Sequence, residues 1–429
     1  SDDSVVDAML AFEAALASAE ANAGIIPQSA ADAIARIRRD SFDAASLAGQ
    51  TLRGGTPGIA FSRALTEVVR TADPASAGFV HWGATSQDVA DTALVLLLNR
   101  VQKILDSDLA RLDAAVLSLA EQHANTIMLS RTLLQPAPPI TFGLKAAGWL
   151  ASVRRDREHL NASFSECLVV QFGGASGTLA SLGEMGIEVG QALAKELDLA
   201  FPDAPWHAHR DRLARLVCAC GVLGGSLGKI ARDITLLMQN EVGEAAEAGG
   251  PGRGGSSTLP HKRNPIGCSV TLANAARVPP LVAAFLASMV QEHERGVGGW
   301  QAEWSIVANV MQATGLAVAS MAEVAEGLTV DSARMRANIE ATRGVVFAER
   351  AMMILGARLG RDVAHKLLEE AVRQSVAQGK HLAEVLAGMP EVTRNIGVAA
   401  LGDLEHPERY LGVAEQFRKR LLNGCSEKD

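Results

Sequence analysis

DRLARLVCACGVLGGSLGKIARDITLLMQNEVGEAAE, residues 211–247, is the stretch whose pattern points to the fold. Leu213, Leu216, Cys220, Leu223, Leu227, Ile230, Ile234 and Leu237 recur at alternating steps of three and four, the spacing that lines one face of an α-helix. At roughly 1.5 Å per residue, a helix through the whole stretch is on the order of 50 Å long, more than one small domain covers. Gly221, Gly224, Gly225 and Gly228 sit inside it. They would weaken an exposed helix, so the pattern predicts other helices approaching its backbone closely.

Similar seams lie on both sides. Leu98, Val101, Leu105, Leu112, Val116 and Leu119 form one within residues 92–126, and Trp304, Val307, Met311, Val318, Met321, Ala325 and Leu328 form another. Between them, residues 266–294 read as a helix kinked at Pro279 and Pro280. The first 72 residues are helical in pattern, with Met9, Leu10, Phe12, Leu16 and Ala19 on one face, a stop at Gly24, a restart at Pro27 and a loop at 52–58. From Val345 onward, Gly356, Gly360, Gly379, Pro390 and Pro407 punctuate shorter helices. With 48% hydrophobic but only 4% aromatic residues, closely packed helices are favoured over sheets. The expectation is an all-α protein divided into a helical domain at 1–94, a long-helix domain at 95–340 and a small helical domain at 341–429. Long helices that are apolar on more than one face call for partner subunits.

A formal charge of −8 and the lack of a basic run interleaved with aromatics argue against nucleic acid as a partner. The longest apolar runs, 216–228 and 278–290, stop short of a membrane span, and the start shows no basic segment followed by an apolar one. The expectation is a soluble, cytoplasmic protein without membrane contact. The five cysteines, Cys167, Cys218, Cys220, Cys268 and Cys425, have no metal-site spacing and read as small core residues. His207 and His209 in WHAHR would suit a metal only with a carboxylate from elsewhere; no metal is expected.

Chemistry concentrates after the long seam, in GGPGRGGSSTLPHKRNP, residues 249–265. Five glycines, the hydroxyls of Ser256 and Ser257, and then His261, Lys262, Arg263 and Asn264 make a cation-rich segment able to fold over a small anion. A plain linker gives no reason for so dense a run of distinct polar side chains. Gly250, Gly252 and Gly255 fit G-x-G-x-x-G, but no βαβ unit surrounds them, which argues against a dinucleotide. HWGATSQDVADT, residues 81–92, crowds His81, Thr85, Ser86, Gln87 and Asp88 at a helix start. Capping accounts for Asp88 or Ser86; such a start can also receive a carboxylate. QFGGASGT, residues 171–178, reads as a second flexible polar loop. In residues 293–304, Arg295 offers a planar fork for a carboxylate, and Glu303 could orient Lys262 or His81, or form a surface salt bridge.

GSSTLPHKRNP, residues 255–265, resembles the signature loop of the fumarase, aspartase, argininosuccinate lyase and adenylosuccinate lyase superfamily, with Leu259 where that pattern has methionine. The resemblance implies that Ser256 is a proton-transferring hydroxyl and that Lys262 and Asn264, with Ser257, hold a substrate carboxylate or the developing enolate. Residues 81–92 resemble the first signature region, whose Thr-Ser-x-Asp run contacts a substrate carboxylate. This implicates Thr85 and Ser86, and brings His81 into substrate contact or proton traffic. RTLLQPAPPITFGLK, residues 131–145, resembles the second region. There lyase members read Thr-His-x-Gln; here Thr132 and Gln135 stand as hydrogen-bonding groups while Leu133 replaces the imidazole, and leucine moves no proton. The histidine–aspartate pair of adenylosuccinate lyases near residues 45–60 is missing too.

With VHWGATSQD, TLLQPAPPITFGLKAAGW and PHKRNP, the chain resembles the bacterial 3-carboxy-cis,cis-muconate cycloisomerases within that superfamily. That resemblance implies a three-domain, all-α fold and a homotetramer with a helical core and active sites shared between chains. It implies no cofactor and a small tricarboxylate-like substrate lactonised in aromatic catabolism through the β-ketoadipate route. The proton donor stays open among Ser256, Lys262 and His81. Two other readings are a fumarate-releasing lyase of the adenylosuccinate or argininosuccinate type and a non-enzymatic structural relative.

Overall fold

The computed structural model describes residues 1–249, 254–255, 259 and 262–423. Ser256, Ser257, His261 and Cys425 lie outside the described residues. The order of the main elements is α1 (Asp2–Asn22), α2 (Gln28–Ala35), α3 (Ala44–Gly54), α4 (Pro57–Ala72), α5 (Ser86–Gln122), β1 (Ile127–Thr132), β2 (Gln135–Thr141), α6 (Phe142–Cys167), α7 (Gly186–Glu196), α8 (Asp211–Leu237), β3 (Ala245–Ala246), α9 (Ile266–Ser288), α10 (Gly299–Gly327), β4 (Thr329–Val330), α11 (Ser332–Ala341), α12 (Ala348–Leu359), α13 (Arg361–Gln378) and α14 (Leu382–Ala387), followed by short helices to Asn423. Helices dominate as expected. Among the described residues the strands form two small antiparallel pairs, β1 with β2 and β3 with β4.

The seam residues of α8 from Leu213 to Leu237 are all buried, but the helix is shorter than the sequence suggests. It ends at Leu237. The amides of Val242 and Gly243 both turn back to the carbonyl of Gln239, and Gly243 takes a φ of 62°. The chain then leaves as a strand, because Ala245 and Ala246 pair with Val330 and Thr329. The glycine expectation also narrows. A Cβ on Gly221 would sit 3.1 Å from Val282, whereas one on Gly225 would meet nothing within 4 Å.

Among the described residues three helices, α8, α9 and α10, are long and apolar enough by length and composition to cross a membrane. This corrects the expectation from uninterrupted runs: averaging over a window tolerates the glycines, serines and threonines that break a run. The apolar window of α9 is only 22% buried, so this single chain leaves that helix largely uncovered.

The chain divides into two compact units, and each of the five long helices contributes residues to both. The first unit comprises residues 1–107, 156–225 and 274–316. There α1 packs on α2, α3, α4 and α7, burying Phe12 and Leu16 with Phe61, Leu65, Val69, Val189 and Leu193. Asp43 caps α3 and Thr56 caps α4, which has Pro57 in its first turn, the position where the missing N–H costs nothing.

The second unit comprises residues 108–155, 226–273 and 317–429. Its hairpin β1–β2 packs on α11, and α12–α14 enclose a core of Leu355, Ala364, Ala371, Leu382, Leu386 and Leu404. Gly360 and Gly379 take positive φ and end α12 and α13, as the punctuation of the sequence predicts.

Candidate active site

In the first unit the site is built on the start of α5. Thr85 precedes the helix, and its amide donates to Asp88 Oδ2 at 3.0 Å, one half of a capping box. Capping is only part of what Asp88 does. Its Oδ1 also accepts from the Gly173 amide (3.1 Å) and is 2.6 Å from His207 Nε2, while Oδ2 accepts from the Gly174 amide (2.9 Å). A fully buried carboxylate with four donors is well satisfied. Gly174 has a φ of 65°, and any Cβ there would lie 2.8 Å from the Gly83 carbonyl, so only glycine allows this approach.

The 171–178 loop is therefore pinned at its start, which corrects the expectation of a flexible loop. Thr92 Oγ1 donates to the Gln171 carbonyl and accepts from its amide, and the Trp206 amide donates to Gln171 Oε1. His207 is spent on Asp88. Among the described residues no group of three or more His, Cys, Asp and Glu is placed to hold a metal ion.

Arg295 joins this assembly. Its Nη1 donates to Thr85 Oγ1 at 3.4 Å and its Nη2 to the Gly174 and Ala175 carbonyls at 3.2 and 2.9 Å. Two residues chosen from distant parts of the sequence thus meet, with Ser86 beside them in the first turn of α5. A guanidinium held at a helix N-terminus beside two hydroxyls has the chemistry to receive a carboxylate.

His81 stands four residues before Thr85, with a φ of 59°. Its Nδ1 lies 2.5 Å from Glu13 Oε1, and Glu13 is 1% exposed. Burial opposes charge on the ring, but the Glu13 carboxylate and its hydrogen bond, with Asp88 adding to them, outweigh that and raise His81 above the ordinary histidine value. Glu13 was missed in the sequence. The available signal was a carboxylate among the apolar residues of one helix face, between Phe12 and Leu16.

Glu303 is neither an orienting partner of His81 nor a surface group. It is 1% exposed; Arg210 donates to it from Nε and Nη2, and Gln291 donates at 2.8 Å. Arg210 also grips both oxygens of Asp91 at 2.8 and 3.1 Å, while the Trp300 indole donates to Asp91 at 2.9 Å. Burial pushes the Glu303 carboxyl up to about 7 despite Arg210. Burial raises Asp91 as well, but the two-pronged bond from Arg210 and the donors Trp300 and Gln87 hold it below its ordinary value. This cluster is the frame beneath the α5 start.

The remaining candidates belong to the second unit. Thr132 pairs with Gln135 across the hairpin end, both exposed, and Leu133 and Leu134 form the two-residue tip with φ of 50° and 66°. Behind the tip Arg131 binds Glu244 with two bonds of 2.9 and 2.7 Å. In α6, burial pushes the Lys145 ammonium down although Asp233 supports its charge. The described part of the glycine segment is folded back on itself: the Asn264 amide donates to the Gly254 carbonyl, and the Lys262 amide to that of Leu259. Lys262 is exposed. Asn264 lines a cavity of about 170 Å³ with Arg263, Glu247, Ser320 and Glu323, and Glu247 accepts from the Gly267 and Cys268 amides at the start of α9.

Residues 1–279 match the lyase family model, and residues 344–421 match the adenylosuccinate lyase C-terminus model. The chain belongs to the fumarase/aspartase lyase superfamily. This lyase-superfamily chain is 47% identical over 429 residues, all of its length and 95% of the relative, to 3-carboxy-cis,cis-muconate cycloisomerase of Bradyrhizobium diazoefficiens. It is 41% identical over 433 residues, covering 99% of its length and 91% of the relative, to nitrosuccinate lyase of Streptomyces davaonensis. It superposes on the crystal structure of 3-carboxy-cis,cis-muconate lactonizing enzyme from Pseudomonas putida with a TM-score of 0.92 and 42% identity, over 99% of this chain and 94% of that one. The all-α fold is that of the superfamily.

Proposed function

We propose that this chain is a cofactor-independent cycloisomerase that converts 3-carboxy-cis,cis-muconate, or a close analogue, to the carboxymuconolactone in aromatic catabolism. A carboxylate oxygen of the substrate adds to the neighbouring double bond and closes a five-membered ring. The displaced electron pair collects on a carbon beside another carboxylate, giving an aci-carboxylate that is then protonated. Catalysis is stabilisation of that doubly negative group by fixed donors, the effect that supplies the largest share of many rate enhancements. Thr85, Ser86 and Arg295 receive one carboxylate. Thr132, Gln135, Ser257, Lys262 and Asn264 serve the others, and the proton comes from Ser256, Lys262 or His81.

The observation that carries this reading is the hairpin tip. Leu133 and Leu134 stand between Thr132 and Gln135, so the tip binds but gives no proton to a leaving group. Lactonisation expels nothing and needs no such acid. Full-length similarity to a named cycloisomerase supports the same reading.

The working unit is a homotetramer in the cytoplasm whose sites draw on several chains, which the uncovered apolar surface of α9 supports. Its chain comprises an N-terminal helical domain at 1–94, a central long-helix domain at 95–340 and a C-terminal helical domain at 341–429. Similarity to a nitrosuccinate lyase favours an eliminating lyase as the second reading. Incubation with 3-carboxy-cis,cis-muconate, followed by ultraviolet absorbance, decides between them. Consumption of the muconate supports the cycloisomerase; an inert muconate and release of fumarate from a succinylated substrate would reverse the assignment.

A further inference from the structure

A carboxylate on the apolar face of α1 needs a reason to be there, since burial of an unpaired charge is costly. Glu13 is 1% exposed between Phe12 and Leu16, and its partner is His81 Nδ1 at 2.5 Å. The backbone cooperates: His81 holds a left-handed φ of 59° and Gly83 one of 70°, just before α5 begins. With Nδ1 engaged, Nε2 is the free nitrogen of the ring, without a hydrogen-bond partner among the described residues, and the side chain keeps 16% exposure.

Two charged groups act on the ring, Glu13 from α1 and Asp88 from α5. The oxygens of Asp88 are already taken by Thr85, Gly173, Gly174 and His207, which leaves Glu13 as the one that grips the imidazole. Glu20, two turns further along α1, has both oxygens buried without a partner, and burial pushes its carboxyl up to about 9. It is neutral at pH 7 and does not compete for the imidazolium.

We propose that Glu13 is a positioning residue for His81: it fixes Nδ1–H and so presents Nε2–H as the proton delivered to carbon. The inference rests on the cycloisomerase reading and chooses among its three donors. The substrate carboxylate forms the C–O bond, the π pair moves to the carbon beside the second carboxylate, and that carbon takes the proton from Nε2. The N–H pair stays on the ring, Nδ1–H stays on Glu13, and the partly exposed ring regains its proton from water. One proton is taken up per turnover. A carboxylate behind an imidazole raises its basicity and sets its tautomer, which favours the protonated donor form.

The test compares wild type, E13Q, E13D and H81Q. Turnover by wild type falls as pH rises through the elevated His81 pKa. In E13Q that basic limb moves to lower pH, so that turnover at alkaline pH falls below wild type, with KM nearly unchanged; E13D restores part of the shift. H81Q loses about a hundredfold or more in kcat. Nitrogen NMR of the substrate-free protein reads the His81 titration and tautomer directly, and a wild-type ring with an ordinary pKa overturns the proposal whatever the fate of the variants. So does an E13Q profile that superposes on wild type, or an H81Q enzyme at full rate. If wild type leaves the muconate untouched, the cycloisomerase reading fails by itself, and NMR still decides whether Glu13 controls His81.

Discussion

Asp88 and Lys262 show two ways a single residue can matter. Asp88 is enclosed and saturated, so it organises; Lys262 is exposed, so its removal should disturb chemistry and little else. In K262A, kcat on the muconate falls about 10²- to 10³-fold, the cost of one preorganised donor, while the melting temperature stays as in wild type. Steady-state kinetics with a thermal melt checks both; turnover within twofold of wild type removes Lys262 from the site. Glu20 makes a prediction of opposite kind. Burial lifts its carboxyl from the ordinary 4.5 to about 9 on folding, so the folded protein keeps a proton that the unfolded chain releases. Its contribution is fully present below about 4.5 and is lost as pH rises toward 9. E20M should therefore be more stable than wild type at pH 8 by at least ~1 kcal/mol, the cost of an unsatisfied buried group, and the advantage shrinks toward pH 4. Urea denaturation at the two pH values reads this, and an equal difference at both would contradict it.

Among elements, the start of α5 is held by a frame as well as by its own cap. Arg210 ties Asp91 on α5 to Glu303 on α10, with its guanidinium 4.8 Å from the centre of the Trp206 ring. R210M leaves two carboxylates buried without their cation and should cost about 3–5 kcal/mol. The loss is measurable by chemical denaturation, and a change under ~1 kcal/mol would show the frame to be dispensable. The β1–β2 hairpin shows the reverse economy. A two-residue turn with positive φ at both positions favours Asn-Gly, yet Leu133 and Leu134 occupy it, 96% and 70% exposed.

For the whole molecule, the candidates divide between the two units: His81, Thr85, Ser86 and Arg295 in one, Thr132, Gln135, Lys262 and Asn264 in the other. If sites draw on several chains, two inactive variants can complement each other. H81Q and K262A, dissociated together and reassembled, should regain roughly a quarter of wild-type activity, the share of sites that receive both native residues from a random mixture. No recovery would place both residues of each site on one chain. Sedimentation should give four times the 45.0 kDa chain mass; a monomer would leave the apolar surface of α9 without a reason.

Helical periodicity alone determined the all-α class and the seams of α5, α8 and α10, because a 3.6-residue repeat is a local property that survives without knowledge of what packs against it. The same holds for the Gly360 and Gly379 stops and for the polar helix start at Thr85, which are local features too. Tertiary structure alone decided the partners of those groups. Glu13 reaches His81 across 68 residues and Glu303 reaches Arg210 across 93, and no pattern in the chain announces either pair. The early end of α8 was equally hidden, since Ala245 and Ala246 become a strand only through pairing with residues more than 80 positions away. Hydrogen bonds and ion pairs between distant segments depend on where folding carries them, and that information lies in packing rather than in spacing.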